Sequence, residues 1–169
     1  DLTMDASFTT PCYIRQGNQV LMLHRIRKEQ DKSRGKWIGI SGTFEPGESP
    51  EECVLREVRE ETGLTLTSWQ FRGLVTLVSE TWRDNHIHLF TADAFTGRLD
   101  PDCCEGELRW FSWDEMRTLP TWEGDRIFLD LLEQDRPFFS LKLRYQGGRL
   151  AEAALDGSPL PLKQTPENR

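Results

Sequence analysis

The residues best able to do chemistry lie in one stretch, GTFEPGESPEECVLREVREETGL, from Gly42 to Leu64. Five residues separate Gly42 from Glu48, and seven more separate Glu48 from Arg56-Glu57-Val58; Glu60-Glu61 and Gly63-Leu64 follow. On a helix, at about 100° per residue, Glu57, Glu60 and Glu61 fall within about one third of the circumference. Val54, Leu55 and Val58 form the adjoining apolar stripe, so the carboxylates sit at the edge of the buried face, where a cleft can form. Clustered carboxylates repel one another, and a hard cation among them removes that repulsion. Mg²⁺ suits such a set, because it takes oxygen ligands and keeps waters and substrate phosphates in its shell.

Arg56 lies beside the cluster and can fork onto a carboxylate of the preceding loop, with Glu48 the natural partner. Gly42 and Gly47 are expected to supply backbone conformations that a side chain would forbid. The loop can then fold back and aim the Ser41 carbonyl at a metal. A Glu-rich helix taken alone is ordinarily a solvated face laced with Glu–Arg pairs. The full pattern fixes seven residues of roughly 7% background each, a chance coincidence on the order of 10⁻⁸ per start position.

The surrounding elements must hold this stretch in place. Ser49–Thr62 is the strongest predicted helix: Ser49 is the N-cap, Pro50 suits the first turn, Glu52 completes a capping box and Gly63 stops the helix. Thr9–Arg15 and Val20–Arg25 read as strands joined at Gln16-Gly17-Asn18, and Trp37–Ile40 as a short strand after a charged loop, Arg27–Lys36. Trp69–Glu80 and Ile87–Phe95 alternate as a long antiparallel hairpin turning at Arg83-Asp84-Asn85. Leu108–Ser112 and Phe138–Tyr145 are further strands, and Asp125–Glu133 is an amphipathic helix. This order gives an α+β sandwich. Residues 1–155 read as one domain, and the Pro-rich polar stretch 156–169 as a disordered tail.

Composition narrows the function. The chain has 169 residues, a net charge of −7, six Trp and nine Phe, enough for a core without disulfides. A binder of duplex nucleic acid is normally basic, and this chain lacks that footprint. An acidic protein that takes a phosphorylated ligand needs a cation to screen like charges. Cys12, Cys53, Cys103 and Cys104 have no zinc spacing and read as reduced thiols. No apolar run approaches the ~18 residues of a membrane span and no signal peptide is visible, so the expected compartment is the cytoplasm, as monomer or homodimer. His86 and His88 alternate on one strand and read as a polar face rather than a metal site.

The segment resembles the Nudix box with every specified position filled, and the likeness to the Nudix hydrolase family extends from Phe8 to about Leu150. The resemblance implies an α/β/α sandwich with a mixed sheet, and hydrolysis of a nucleoside diphosphate linked to another group. It implies that Glu57, Glu60 and Glu61 hold Mg²⁺ or Mn²⁺ with a carbonyl ligand at Ser41. Glu57 or a nearby carboxylate would deprotonate the water, and Arg56 and Glu48 would pair structurally. Many members place another Glu before a strand with an aromatic start. Glu105, five residues before Trp110, is the expected further ligand, with Glu107 as competitor.

The stretches LPTWEGDRIFLDLL and HIHLFTADAFTG resemble MutT-like diphosphatases that destroy oxidised purine nucleoside triphosphates. Trp122 and Asp125 fall where such enzymes contact the base: a Trp face stacks on a purine, and a carboxyl reads its polar edge. Two departures put guanine selectivity in question. Ile38 stands where relatives carry Asn, and Gly124 replaces a second acidic residue. The expected reaction is therefore hydrolysis of an 8-oxo-dGTP-like triphosphate to monophosphate and pyrophosphate. ADP-ribose, a dinucleoside polyphosphate or capped RNA is the alternative substrate, and a non-catalytic Nudix-fold regulator the alternative class.

Overall fold

The structure is a computed structural model that describes residues 5–26, 33–102 and 106–162. Strands β1 (Ser7–Thr9), β2 (Cys12–Gln16), β3 (Gln19–Arg25) and β4 (Trp37–Ile38) precede helix α1 (Pro50–Thr62). Then come β5 (Thr65–Ser79), β6 (Asn85–Thr96), β7 (Gly106–Ser112), α2 (Trp113–Met116), α3 (Asp125–Glu133), β8 (Phe139–Gln146), β9 (Arg149–Leu155) and β10 (Ser158–Leu160). Among the described residues the strands form one mixed sheet in the order β10-β9-β8-β5-β6-β2-β3-β4, with β1 also on β6 and β7 also on β3. β1 and β2 run parallel to β6, and β8 parallel to β5; the other pairs are antiparallel.

Alternation along the central strands builds two cores, one on each face. Tyr13, Val20 and Met22 join Phe128, Leu129 and Leu132 of α3 on one side. Cys12, Ile14, Leu21 and Leu23 join the side of Val54 and Val58 of α1. The result is the α/β/α sandwich with a mixed sheet. Each fully buried Val on α1 contributes about 1.5–3 kcal/mol, which seats the helix and fixes which of its stripes faces outward.

Four sequence expectations change. The strand expected over Thr9–Arg15 splits in two, because Pro11 has no N–H to donate; its carbonyl instead accepts from Phe90 N at 2.9 Å. The strand expected over Trp37–Ile40 shortens to Trp37–Ile38, with Ile40 meeting Cys12 in an isolated bridge. The four-residue helix α2 carries a Ser112–Glu115 capping box not read beforehand. The tail expected to be disordered from Asp156 is ordered through β10. Asp156 (φ 50°) and Gly157 (φ 84°) turn the chain so that Ser158 pairs with Leu155, and the Asp156 carboxylate accepts from Ser140 N at 2.9 Å. Of the loop expected over Arg27–Lys36, residues 27–32 lie outside the described residues. Among the described residues no helix is long and apolar enough to cross a membrane.

Candidate active site

The loop 39–49 is tied by backbone contacts to the start of β2 and the residues before it. Thr10 N donates to Gly42 O at 3.1 Å and Cys12 N to Ile40 O at 2.6 Å, so the intervening Ser41 carbonyl is turned away from β2. A Cβ on Gly42 would stand 1.8 Å from Glu57 Cδ. Gly42 is thus required by close approach to a carboxylate, whereas Gly47, at φ 82°, is required by its left-handed backbone. At the helix start, Glu52 N donates to Ser49 Oγ and Ser49 N to Glu52 Oε1, both at 3.1 Å, closing the capping box.

Arg56 is the centre of the assembly. Its Nε and Nη2 donate to Glu48 Oε2 and Oε1 at 2.7 and 2.8 Å, a two-pronged fork that fastens the loop to the helix. Nη1 donates to Glu57 Oε1 at 2.6 Å and Glu60 Oε2 at 3.1 Å, and Nη2 to Thr43 O at 3.1 Å. Glu45 Oε1 stands 3.6 Å from Nη1. Four carboxylates therefore surround one guanidinium, leaving negative charge in excess. Arg56, with the Glu45 N–H, holds the Glu48 carboxyl down at about 2. Burial pushes Glu57 up, against the pull of Arg56. The Glu57 and Glu48 side chains are 12% and 13% exposed, whereas that of Glu60 is 58% exposed. Glu61, one turn beyond Glu57, is half-buried. Among the described residues no three acidic, His or Cys side chains stand together as a ready-made metal cage. The expected distal ligand Glu105 lies outside the described residues, as do Cys103 and Cys104; Glu107 ion-pairs with Arg109.

A second cluster forms where β4 meets the segment before α3, tied by Trp37 N donating to Pro120 O at 2.8 Å. Trp122 Nε1 donates to Ser33 Oγ at 3.1 Å, its ring meets Tyr145 edge-on at 5.8 Å, and Lys36 Nζ lies 4.3 Å from the ring centroid. Asp125 is half-buried at the first turn of α3, and burial pushes its carboxyl up to about 7, opposed by Lys36. Thr121 Oγ1, of the residue before Trp122, is buried and unpaired. Gly124 N donates to Tyr145 Oη at 2.7 Å, and a Cβ on Gly124 would lie 2.6 Å from Leu143 Cδ1. Packing therefore excludes a second carboxylate there. Ile38 points to the α1-side core, and Trp37 stacks on His24 at 4.4 Å.

The model of the NUDIX domain matches residues 8–132. The chain belongs to the NUDIX family. It is 33% identical to the uncharacterised Nudix hydrolase YvcI of Bacillus subtilis over 129 residues, covering 73% of this chain and 77% of that one. An NAD-capped RNA hydrolase NudC of Vibrio parahaemolyticus is 35% identical over 112 residues, but the chain spans only 40% of its length. An oxidized purine nucleoside triphosphate hydrolase of Danio rerio is 29% identical over 122 residues, 71% of this chain and 76% of that protein. A mutator MutT protein of Bacillus halodurans superposes with a TM-score of 0.79 at 28% identity, over 90% of this chain and 99% of that one. The protein is thus a Nudix pyrophosphohydrolase, from a family that works with divalent cations on nucleotide substrates.

In this Nudix hydrolase the structure brings Glu48, Arg56, Glu57 and Glu60 together and sets Trp122 near Asp125. Sequence reasoning missed Glu45, Lys36, Ser33 and Tyr145. Glu45 was findable, since it stands three residues before Glu48 in the same loop. Lys36 and Ser33 sat in a charged stretch with no periodicity to mark them.

Proposed function

We propose that this Nudix hydrolase cleaves an oxidised purine nucleoside triphosphate, of the 8-oxo-dGTP kind, to the monophosphate and pyrophosphate. The observation that carries the chemistry is the gathering of four box carboxylates round one guanidinium. That set is all hard oxygen, has charge to spare, and includes a half-buried carboxylate cradled by Gly42, so it fits a divalent ion. Glu57, Glu60, Glu61 and the Ser41 carbonyl would hold Mg²⁺ or Mn²⁺, with Glu105 as a further ligand. Bound there, the ion would neutralise phosphate charge and make water more acidic.

The chain's own residues do the rest. Glu57 accepts the proton of the attacking water: desolvation makes it a stronger base than an exposed Glu. The water oxygen bonds to phosphorus as the anhydride P–O bond breaks, and pyrophosphate carries off the electron pair. Arg56, braced by Glu48, positions Glu57 and Glu60. The Trp122 face stacks the base. Asp125, titrating near neutrality, offers an O–H as well as an acceptor to the purine edge. The likeness to the zebrafish oxidized purine nucleoside triphosphate hydrolase supports this reading.

Ile38 and Gly124, each apolar where a polar base contact was expected, favour a second reading, in which the diphosphate belongs to ADP-ribose, a dinucleotide or an RNA cap. The test is kcat/KM on 8-oxo-dGTP, dGTP, ADP-ribose and NAD-capped RNA with Mg²⁺, reading pyrophosphate and phosphate separately. The first reading predicts that 8-oxo-dGTP leads and releases pyrophosphate. A lead for ADP-ribose or capped RNA would replace it with the second.

A further inference from the structure

A cleft of about 570 Å³ opens at the C-terminal end of α3, and its lining includes Arg15, Arg72, Arg136, Asp135, Phe71 and Phe138. It is a different place from the box. Arg15 lies three residues along β2 from Cys12, the residue that meets Ile40, so it is roughly 10 Å farther up the strand. Arg15 also shares the α3 face with Tyr13, while Phe71 of the same lining packs against the α1-side core. The cleft is open to solvent along the exposed Asp135, Arg136 and Phe138.

The charges in this cleft are poorly matched. Arg72 is only 7% exposed, yet its contacts are long: Thr91 Oγ1 at 3.3 Å, Arg136 O at 3.5 Å and Asp135 Oδ1 at 3.6 Å. Arg15 Nη1 approaches that same Asp135 Oδ1, also at 3.6 Å. Two guanidiniums thus converge on one oxygen that neither reaches at hydrogen-bond distance. Asp135 is 75% exposed and sits at φ 51°, so water screens its charge. Asp93, the other carboxylate of the lining, lies at the exposed rim. Arg136 turns to Asp156 at 3.2 Å. Burial and the neighbouring Arg15 both disfavour the charge on Arg72, and Asp135 only partly offsets them. Phe138 is 57% exposed and packs edge-on against Phe71 at 5.2 Å, giving the cleft an aromatic wall.

We propose that this cleft binds the phosphate group of a small phosphorylated ligand, which displaces Asp135 and spans Arg15 and Arg72. A carboxylate offers two oxygens in a plane; a phosphate offers three in a tetrahedron and can accept from both guanidiniums at once. Asp135 is in this view a weak internal occupant of the anion position. Phe138 supplies a surface for an aromatic base if the ligand is a nucleotide. The inference is independent of which substrate the box cleaves.

The test is calorimetric titration of the whole protein in EDTA, which removes metal-dependent binding at the box, with inorganic phosphate, pyrophosphate and 5′-GMP as probes. The variants are Arg15→Gln, Asp135→Asn and Phe138→Ala, which avoid emptying the buried Arg72 position. Wild type is expected to bind, Arg15→Gln to weaken binding about tenfold or more, and Asp135→Asn to strengthen it several-fold, since it removes the competing charge. Loss confined to GMP in Phe138→Ala would assign a nucleotide; equal binding of all probes with no effect of Phe138→Ala would assign free phosphate. Absence of binding in both wild type and Asp135→Asn would overturn the proposal, and so would binding that Arg15→Gln leaves unchanged.

Discussion

Asp125→Asn separates a buried acid from a merely polar one. Burial pushes the Asp125 carboxyl from its ordinary 3.8 up to about 7 in the folded chain, with Lys36 opposing. A group whose folded pKa is raised stabilises the fold at low pH, and that stability is lost as pH rises through the folded pKa. The loss therefore runs from about 4 to about 7. Asn is neutral throughout, so the difference between wild type and variant isolates this one titration; other groups, such as Glu48, cancel. The part of this loss that falls between about pH 5 and about pH 7 costs wild type about 3 kcal/mol relative to the variant, and it is complete by about pH 9. Partial exposure of Asp125 lowers this to about 1–2 kcal/mol. Urea unfolding of both proteins across this range measures it: the midpoints should diverge as pH rises, with the variant the more stable at the alkaline end. A difference that is constant with pH, or that grows toward acid, would refute a desolvated carboxyl at this position.

Three further outcomes follow from the packing. Gly42→Ala places a Cβ 1.8 Å from Glu57 Cδ; Glu57 must swing away, and kcat should fall about 100-fold while the circular-dichroism melt stays close to wild type. Gly124→Ala forces a methyl against Leu143 at 2.6 Å and Tyr145 Oη at 2.8 Å, an overpacking of about 1–3 kcal/mol visible in the denaturant midpoint. Trp122→Ala should raise KM for 8-oxo-dGTP about tenfold, whereas Trp122→Phe keeps a stacking ring, loses only the Nε1 bond to Ser33, and should change KM less.

Local rules exposed much of the fold. The Ser49–Glu52 box, Pro50 and Gly63 delimit α1 within the sequence, and alternation marks β5 and β6. The misses were also local in origin. Gly147-Gly148 and Asp156-Gly157 are hairpin turns, with φ values of 60°, 76°, 50° and 84°, that signal β9 and β10; the flanking Pro and polar residues hid them. At the site, Glu48 and Arg56 could be paired from spacing because a fork needs two prongs within one helical reach. Lys36 could not be placed beside Trp122 and Asp125, because they are far apart in sequence and only the docking of β4 on the α3 approach unites them. The packing role of Gly124 was likewise invisible, since Leu143 and Tyr145 come from a strand nineteen or more residues on.

The central claim is that box carboxylates on α1 gather a divalent ion against a bound diphosphate. It is tested most directly by Mn²⁺ titration, followed by its paramagnetic signal, alongside kcat for Glu57→Gln, Glu60→Gln and Glu61→Gln. Glu52→Gln serves as the control, because Gln still completes the capping box. The three site variants should bind Mn²⁺ more weakly and lose about 10²–10⁴-fold in turnover, with the control unchanged. Wild-type turnover and Mn²⁺ affinity in Glu57→Gln and Glu60→Gln would contradict it.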